Sequence, residues 1–200
     1  MERSYPKLSV SAKAEGSVRA GHPWVYEDEI TATSGTPVNG ALVDVVSQKG
    51  RYLGTGFYNG NSKIRIRVLS TNANDRFDKA FWHRRICYAL DYRRTVMGAD
   101  FKCCRLIFGE ADGIPGMTCD RFENVLSVGL AGLGTELIKE TLYGLLLAEL
   151  ALRGEQIDVI YERNELALRD KEGLPREKGY CYGSGNGHVI ITENGIKYDV

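Results

Sequence analysis

The stretch R-L-I-F-G-E-A-D-G-I-P-G-M-T-C-D-R-F-E-N-V-L-S-V, Arg105 to Val128, decides how this chain is read. Leu106, Ile107 and Phe108 supply an apolar strand. Asp112-Gly113 and Pro115-Gly116 interrupt it, because glycine accepts a positive φ and proline fixes its own φ for a turn. Met117 and Cys119 then alternate with Thr118 and Asp120, the period-two pattern of a half-buried strand. Glu123-Asn124 makes a second tight turn, and Val125 to Val128 returns as a third strand. The expected unit is a β-meander.

Downstream, Thr135 reads as the N-cap of a helix that Gly154 ends. Ile138, Leu142, Leu145 and Leu152 fall at helical spacing and predict one buried face. Asp158 to Tyr161 follows as a strand. Upstream, an amphipathic helix is expected over Arg76 to Met97, with Asp75 as N-cap and Gly98 just past its end. Phe81, Trp82, Ile86, Ala89 and Leu90 form its apolar side. Arg84, Arg85, Arg93 and Arg94 form a basic side that is either simply solvated or an extension of an RNA-facing surface.

The first seventy residues carry a different pattern. Leu8, Val10 and Ala12 alternate with polar residues between Lys7 and Lys13, which reads as a strand. Glu15 to Gly21 reads as a short helical turn, and Pro23 suits the start of another. Ala41 to Ser47, Tyr52 to Tyr58 and Lys63 to Leu69 are further strands, separated by Gly50 and by Asn59-Gly60-Asn61. Several short strands with glycine-rich turns predict a small barrel. Lys63, Arg65 and Arg67 alternate with Ile64, Ile66 and Val68, so one strand face is expected to be basic and able to meet phosphates. Lys13, Arg19, His22 and Trp24 complete the candidate RNA-binding set. Aromatic rings can stack on bases, although packing is the commoner use of a Trp beside a short element.

Charge supports an anionic partner for this half. Residues 1–98 hold 15 Lys and Arg against 9 Asp and Glu, and residues 99–200 hold 11 against 17, within a neutral whole. The five cysteines show no C-x-x-C and no Cys/His metal spacing, so neither a disulfide framework nor a metal site is expected. The apolar run Leu145 to Leu152 is short and contains Glu149, and the N-terminus lacks the apolar core of a signal peptide. A cytoplasmic chain without a membrane span is expected.

The string from Arg105 through E-x-D-G-x-P-G-x-x-x-D-R and an aromatic residue resembles the signature of the middle domain in PUA-containing, class I S-adenosylmethionine-dependent ribosomal RNA methyltransferases. That group includes the bacterial large-subunit cytosine carbon-5 methyltransferase. G-H-P-W at Gly21 to Trp24, G-x-x-V-x-V at Gly40 to Val45 and G-x-G-x-Y-N at Gly54 to Asn59 resemble its PUA domain. Y-E-R-N at Tyr161 to Asn164, R-x-x-E-G-L at Arg169 to Leu174 and E-N-G-I-K-Y at Glu193 to Tyr198 are similar to later strings of the family. The resemblance implies a small PUA-like RNA-binding β-barrel over residues 1–72, a linker helix over 73–98 and an α+β middle domain of strands, helix and strands over 99–200. It implies ribosomal RNA as partner and S-adenosylmethionine as cofactor of the full-length protein; a homodimer is left open.

The family's Rossmann-type methyltransferase domain, with its cofactor loop and nucleophile, is expected to be absent from this chain. Gly183-Ser184-Gly185-Asn186-Gly187 is the one glycine-rich candidate for a cofactor loop. No apolar strand leads into it and a strand follows it, so a polar hairpin turn is expected. Cys119 precedes Asp120 but sits on the apolar face of its strand, where a thiol is inert. No catalytic, cofactor-binding or metal residue is therefore expected here. The Glu110, Asp112, Asp120 and Arg121 group reads as turn and strand-pairing residues, or as a group that orients the absent catalytic domain. The chain ends at Y-D-V in mid-strand, as a fragment of a methyltransferase would. The rival readings are a self-standing PUA-type RNA-binding adaptor without catalysis and an interaction scaffold resting on the acidic second half.

Overall fold

The computed structural model describes residues 4–193 and 195–200. It divides into two compact units, Met1–Arg76 with Asp170–Leu174, and Phe77–Arg169 with Pro175–Val200.

The first unit is a six-stranded mixed sheet in the order β2-β6-β5-β4-β1-β3. Its strands are β1 (Lys7–Val10), β2 (Trp24–Tyr26), β3 (Ile30–Ser34), β4 (Leu42–Ser47), β5 (Tyr52–Tyr58) and β6 (Ile64–Ser70). All pairs are antiparallel except β1 with β4. Leu8, Val10, Val25, Val43, Val45, Leu53 and Ile66 form its core with Ala14 and Val18 of helix α1 (Ala12–Arg19). These alternating apolar residues drive the sheet to curl over one buried face. Ser11 ends β1 and caps α1, its side chain accepting from Ala14 N at 3.3 Å. The first strand is therefore shorter, and the helix earlier, than the sequence suggests. Pro23 does not start a helix. Its carbonyl accepts from Val68 N at 2.7 Å, and β2 begins at the next residue as an edge strand. An edge tolerates a proline because one side of the strand has no ladder to break. β3 has no clear signal in the sequence.

Gly56 is required where β5 crosses close to β6. A Cβ there would lie 2.3 Å from the Arg67 carbonyl oxygen. The outer face of β6 is covered, contrary to the expectation of an exposed basic strand. Glu172, from helix α5 (Leu168–Glu172), is 1% exposed and collects three donors. Arg67 Nη2 and Ser62 Oγ donate to Oε1 at 3.0 and 2.6 Å, and Asn59 Nδ2 donates to Oε2 at 3.0 Å.

The second unit is a five-stranded sheet in the order β11-β10-β9-β8-β7. The strands are β7 (Cys103–Phe108), β8 (Met117–Phe122), β9 (Val125–Leu130), β10 (Val159–Asn164) and β11 (Glu177–Tyr182). β10 runs parallel to β9, and the other pairs are antiparallel. Helices α2 (Lys79–Met97) and α4 (Lys139–Leu152) pack together, and α2 lies against β7. The short α3 (Leu133–Leu137) precedes α4, and a separate hairpin, β12 (Ile190–Glu193) with β13 (Ile196–Asp199), follows the sheet. Among the described residues no helix is long and apolar enough to cross a membrane.

The meander is β7, β8 and β9, and Phe122 pairs with Val125 across the two-residue turn Glu123-Asn124. Met117 and Cys119 are fully buried, as their alternation requires. Three local expectations fail. Asp78, not Asp75, caps α2 by accepting from Phe81 N at 3.0 Å, while Asp75 accepts from Ser70 Oγ at 2.6 Å. Thr135 is inside α3; its hydroxyl donates to the carbonyls of Pro115 and Gly132. Leu152 is 81% exposed: it is the last residue of α4, while Glu149 and Leu150 of the same turn are the ones buried.

A buried polar network ties α3 and α4 to β10. Glu162 accepts from Tyr143 Oη at 2.9 Å, Lys139 Nζ at 3.1 Å and Asn164 Nδ2 at 2.9 Å. Lys139 also pairs with Glu136 at 2.9 Å, and Arg169 Nη1 reaches Glu136 at 2.9 Å.

Three outcomes follow from this packing. Gly116 has φ +74, and a Cβ there would lie 2.7 Å from the Gly132 backbone nitrogen, whereas Gly113 (φ +70) would meet only the flexible end of Arg85. Gly116→Ala should lower stability by about 1–3 kcal/mol in thermal unfolding, and by more than Gly113→Ala. Arg67→Ala should cost about 3–5 kcal/mol, because it strips the cation from a buried carboxylate; Lys63→Ala, on the surface, should stay within about 0.5 kcal/mol. An Arg67→Ala protein that melts like wild type would show that Glu172 does not depend on it. Burial alone would raise the Glu136 pKa, but hydrogen bonds from Arg169 and Lys139 overcome this and hold it below the usual range. A folded-state pKa below the unfolded one stabilises above the unfolded value, and the gain is lost as pH falls through the folded value. Glu136→Gln should therefore flatten the loss of stability on acidification; a wild-type slope in the variant would refute the pairing.

Candidate nucleic-acid interface

The residues expected to contact RNA lie in the first unit, around the edge strand β2 and helix α1. His22, Trp24 and Tyr26 make an aromatic row. His22 stands edge-on to Trp24 at 5.8 Å between centroids and stacks on Tyr26 at 6.3 Å, and Trp24 meets Tyr26 edge-on at 6.4 Å. Every second residue of a strand shares a face, so Trp24 and Tyr26 point outward while Val25 enters the core. His22 is exposed, and Trp24 and Tyr26 are half-buried. Tyr26 is a member of this row that sequence reasoning missed, although its i, i+2 spacing from Trp24 is the signal that could have found it.

Lys63 is exposed, and its carbonyl accepts from Glu27 N at 3.0 Å, which places it beside the turn after β2. Lys13 is 85% exposed, with its ammonium 3.9 Å from Glu29. Arg19 is about half exposed and bonds Glu15 at 3.0 Å; Arg51 reaches the same oxygen at 3.5 Å. Two guanidinium groups thus share one carboxylate and leave a net positive charge at this end of α1. Arg51 was also missed. Glu27 and Asp28 are exposed beside β2, so this surface is mixed in sign.

Arg65 and Arg67 are not part of an open basic face. The Arg65 side chain is 12% exposed; it is ion-paired with Glu27 and donates to the carbonyls of Asn59 and Gly60. Arg67 is 6% exposed, paired with Glu172, and its guanidinium lies 5.7 Å from the centre of the Trp24 ring. Alternation puts both arginines outward from the core, but chain distant in sequence covers that side. Their basic groups hold Trp24, the 59–62 turn and Glu172 in place.

The acidic group in the second unit is dispersed. Asp112 pairs with Arg93 at 2.8 Å and accepts from Phe108 N at 2.6 Å. Asp120 pairs with Arg105 on one face of β8. Arg121, on the other face, is 2% exposed, pairs with Glu155 at 2.8 Å and donates to the Glu123 carbonyl. Glu110 contributes its carbonyl to the turn, accepting from Gly113 N at 3.1 Å. Cys119 is fully buried, and desolvation pushes its thiol well above the ordinary range, so it is no nucleophile.

Gly183 to Gly187 is not a hairpin turn. It joins β11 to β12, which belong to different sheets. A cofactor loop needs a strand before it and a helix N-terminus after it; this segment is followed by a strand. Its residues do not fit S-adenosylmethionine.

Residues 8–71 match the family model of a PUA-like domain. The chain is 35% identical over 198 residues to a ribosomal RNA large subunit methyltransferase I of Shewanella amazonensis, covering 97% of this chain and 48% of that protein. It is 33% identical over 196 residues to the protein of the same name from Klebsiella pneumoniae, covering 96% and 48%. Among solved structures, it is similar to one described as a SAM-dependent methyltransferase from Streptococcus mutans, with TM-score 0.77 and 17% identity over 96% of this chain and 47% of that one. Another, described as a methyltransferase complexed with SAH, gives TM-score 0.78 at 17% identity. The chain spans about half the length of the curated relatives it matches. It carries a PUA-like domain and is, along nearly its whole length, a homologue of the ribosomal RNA large subunit methyltransferase I proteins.

Proposed function

We propose that this chain is the RNA-docking and substrate-orienting part of an S-adenosylmethionine-dependent ribosomal RNA methyltransferase that modifies carbon-5 of a cytosine. The observation that carries the reading is 35% identity over 97% of the chain to a ribosomal RNA large subunit methyltransferase I. In this reading residues 1–72 dock RNA, and helix α2 with residues 99–200 leads on to the catalytic part. Among the described residues, neither large sheet has the doubly wound parallel order that a Rossmann-type domain requires. This supports a cofactor site outside them. S-adenosylmethionine would supply the methyl group there, and the residues described here would bind and orient the RNA.

The docking surface assigned here is Lys13, Arg19, His22 and Lys63, with Arg51 added. Trp24 contributes an aromatic edge that Arg67 holds from beneath, and Arg65 and Arg67 act by shaping the site. Exposed Lys and Arg meet phosphates, and each contact releases counterions, so affinity should fall steeply with salt.

The test is binding of a large-subunit ribosomal RNA fragment by fluorescence anisotropy. Lys13→Glu with Lys63→Glu should weaken binding at least about tenfold, or about 1.4 kcal/mol, and make the salt dependence shallower. Lys102→Glu with Lys197→Glu, exposed in the second unit, is the matched control. Equal losses from the two pairs would take the docking role away from the first unit. Calorimetric titration with S-adenosylmethionine should give no saturable heat; saturable binding would overturn the placement of the cofactor site outside these residues.

A further inference from the structure

Two helices of the second unit bring together three side chains that the RNA-binding reading does not use. His83 and Cys87 stand one turn apart on α2, so they share a face of that helix. Glu149 of α4, 66 residues beyond His83, meets them where the helices pack. His83 Nε2 lies 2.5 Å from Glu149 Oε1 and 3.7 Å from Cys87 Sγ. The imidazole nitrogen, the sulfur and a carboxylate oxygen all fall within 4.8 Å of one another.

A Cys-His-Glu catalytic relay needs the thiol on one ring nitrogen and the carboxylate on the other. Here both approach the same nitrogen, Nε2, so the ring cannot pass a proton from one to the other in that way. Three donors that converge on one point are instead what a single cation requires. We propose that His83, Cys87 and Glu149 form a binding site for a zinc-type divalent transition metal that clips α2 to α4.

The donor set suits such an ion. Zinc is borderline soft and takes nitrogen, sulfur and oxygen ligands in tetrahedral geometry, whereas calcium and magnesium demand oxygen. Three protein ligands leave the fourth position to water. The site reaches solvent through His83, whose side chain is 45% exposed, while Glu149 at 6% anchors it inside. Arg153 binds the other Glu149 oxygen and is itself held by Asp91 at 2.7 Å, so one carboxylate oxygen is oriented and the other is turned to His83 and Cys87. Outer groups that fix a ligand in this way are a regular part of metal sites. Burial, and after it the neighbouring carboxylate, disfavour the Cys87 thiolate in the metal-free chain more than the Arg153 guanidinium favours it; a bound dication reverses that balance, and the thiol proton leaves to solvent. The thiolate, the carboxylate and the dication then sum to zero charge. The sequence expectation of no metal site rested on Cys and His spacing, which cannot see a third donor on another helix.

Cobalt(II) reports on this site because its thiolate complexes absorb by sulfur-to-metal charge transfer. The 200-residue chain is titrated with cobalt(II) on a background of Cys103→Ser, Cys104→Ser and Cys181→Ser, which removes the other thiols outside the core. One equivalent should give a saturable charge-transfer band that zinc abolishes by displacement, and zinc should raise the melting temperature. Cys87→Ser should remove the band, and the surface variant His83→Gln should weaken binding at least tenfold; circular dichroism without metal checks that both fold. No saturable band in the Cys87-containing background would overturn the proposal and leave a hydrogen-bonded trio only. So would a band that persists unchanged in Cys87→Ser. If Cys87→Ser does not fold, unaltered cobalt affinity in His83→Gln would overturn it equally.

Discussion

Taking a carboxylate out of water costs several kcal/mol unless cations and hydrogen-bond donors replace the solvent around it. Glu162, 5% exposed on β10 of the second sheet, meets that requirement with an ammonium, a phenol and an amide. Those donors come from α4 and from β10 itself, so the helix can pack on the sheet only in the register that presents them. Glu172 imposes the same condition on the first unit, where an arginine, a serine and an asparagine from β6 and the preceding turn converge on it. Apolar contacts would tolerate small slips of helix over sheet. Paired buried charges do not, because a slip leaves a charge without its partner. The apolar cores supply the driving force, and the buried acids select one arrangement.

This division explains what could be read from the sequence. Apolar runs between glycine-rich turns located β4, β5 and β6 to within a residue at each end, the β7–β8–β9 meander was read in order but two or three residues short in each strand, and the glycines at 113 and 116 marked a turn whose backbone does adopt positive φ. Alternation tells which residues share a face. It does not tell what covers that face. Arg65 and Arg67 were placed correctly as outward and wrongly as open, because the residue that buries Arg67 is Glu172, 105 positions later. Helix ends were displaced for a related reason. Asn74, Asp75 and Asp78 all suit a cap, and tertiary packing of Phe81 and Trp82 selected Asp78. β2 and β3 were hidden because a proline precedes one and the other, Ile-Thr-Ala-Thr-Ser, is an almost wholly exposed edge with little apolar surface.

The surface left for a partner is what remains after these internal pairings. Of the cations proposed for RNA in the first unit, Arg65 and Arg67 are spent inside the fold. Arg19 shares a carboxylate with Arg51, while Lys13 and Lys63 extend into solvent. A net excess of basic residues is therefore a poor guide to the charge an approaching anion meets. The accessible part is a short arc around α1 and β2, interrupted by Glu27 and Asp28. In the proposed docking role, such an arc would position a few phosphates, with the aromatic row beside it.

The first unit is not continuous along the chain: its sheet comes from the first 76 residues, and Glu172 arrives with Asp170–Leu174. On the ribosome the six strands emerge long before the acid that neutralises Arg67. At a synthesis rate of about 5–20 residues per second, the gap lasts on the order of 5–20 seconds. Until then Arg67, Ser62 and Asn59 lack the carboxylate on which they converge in the finished fold. The polar packing of the first unit is therefore completed only by residues made after most of the second unit.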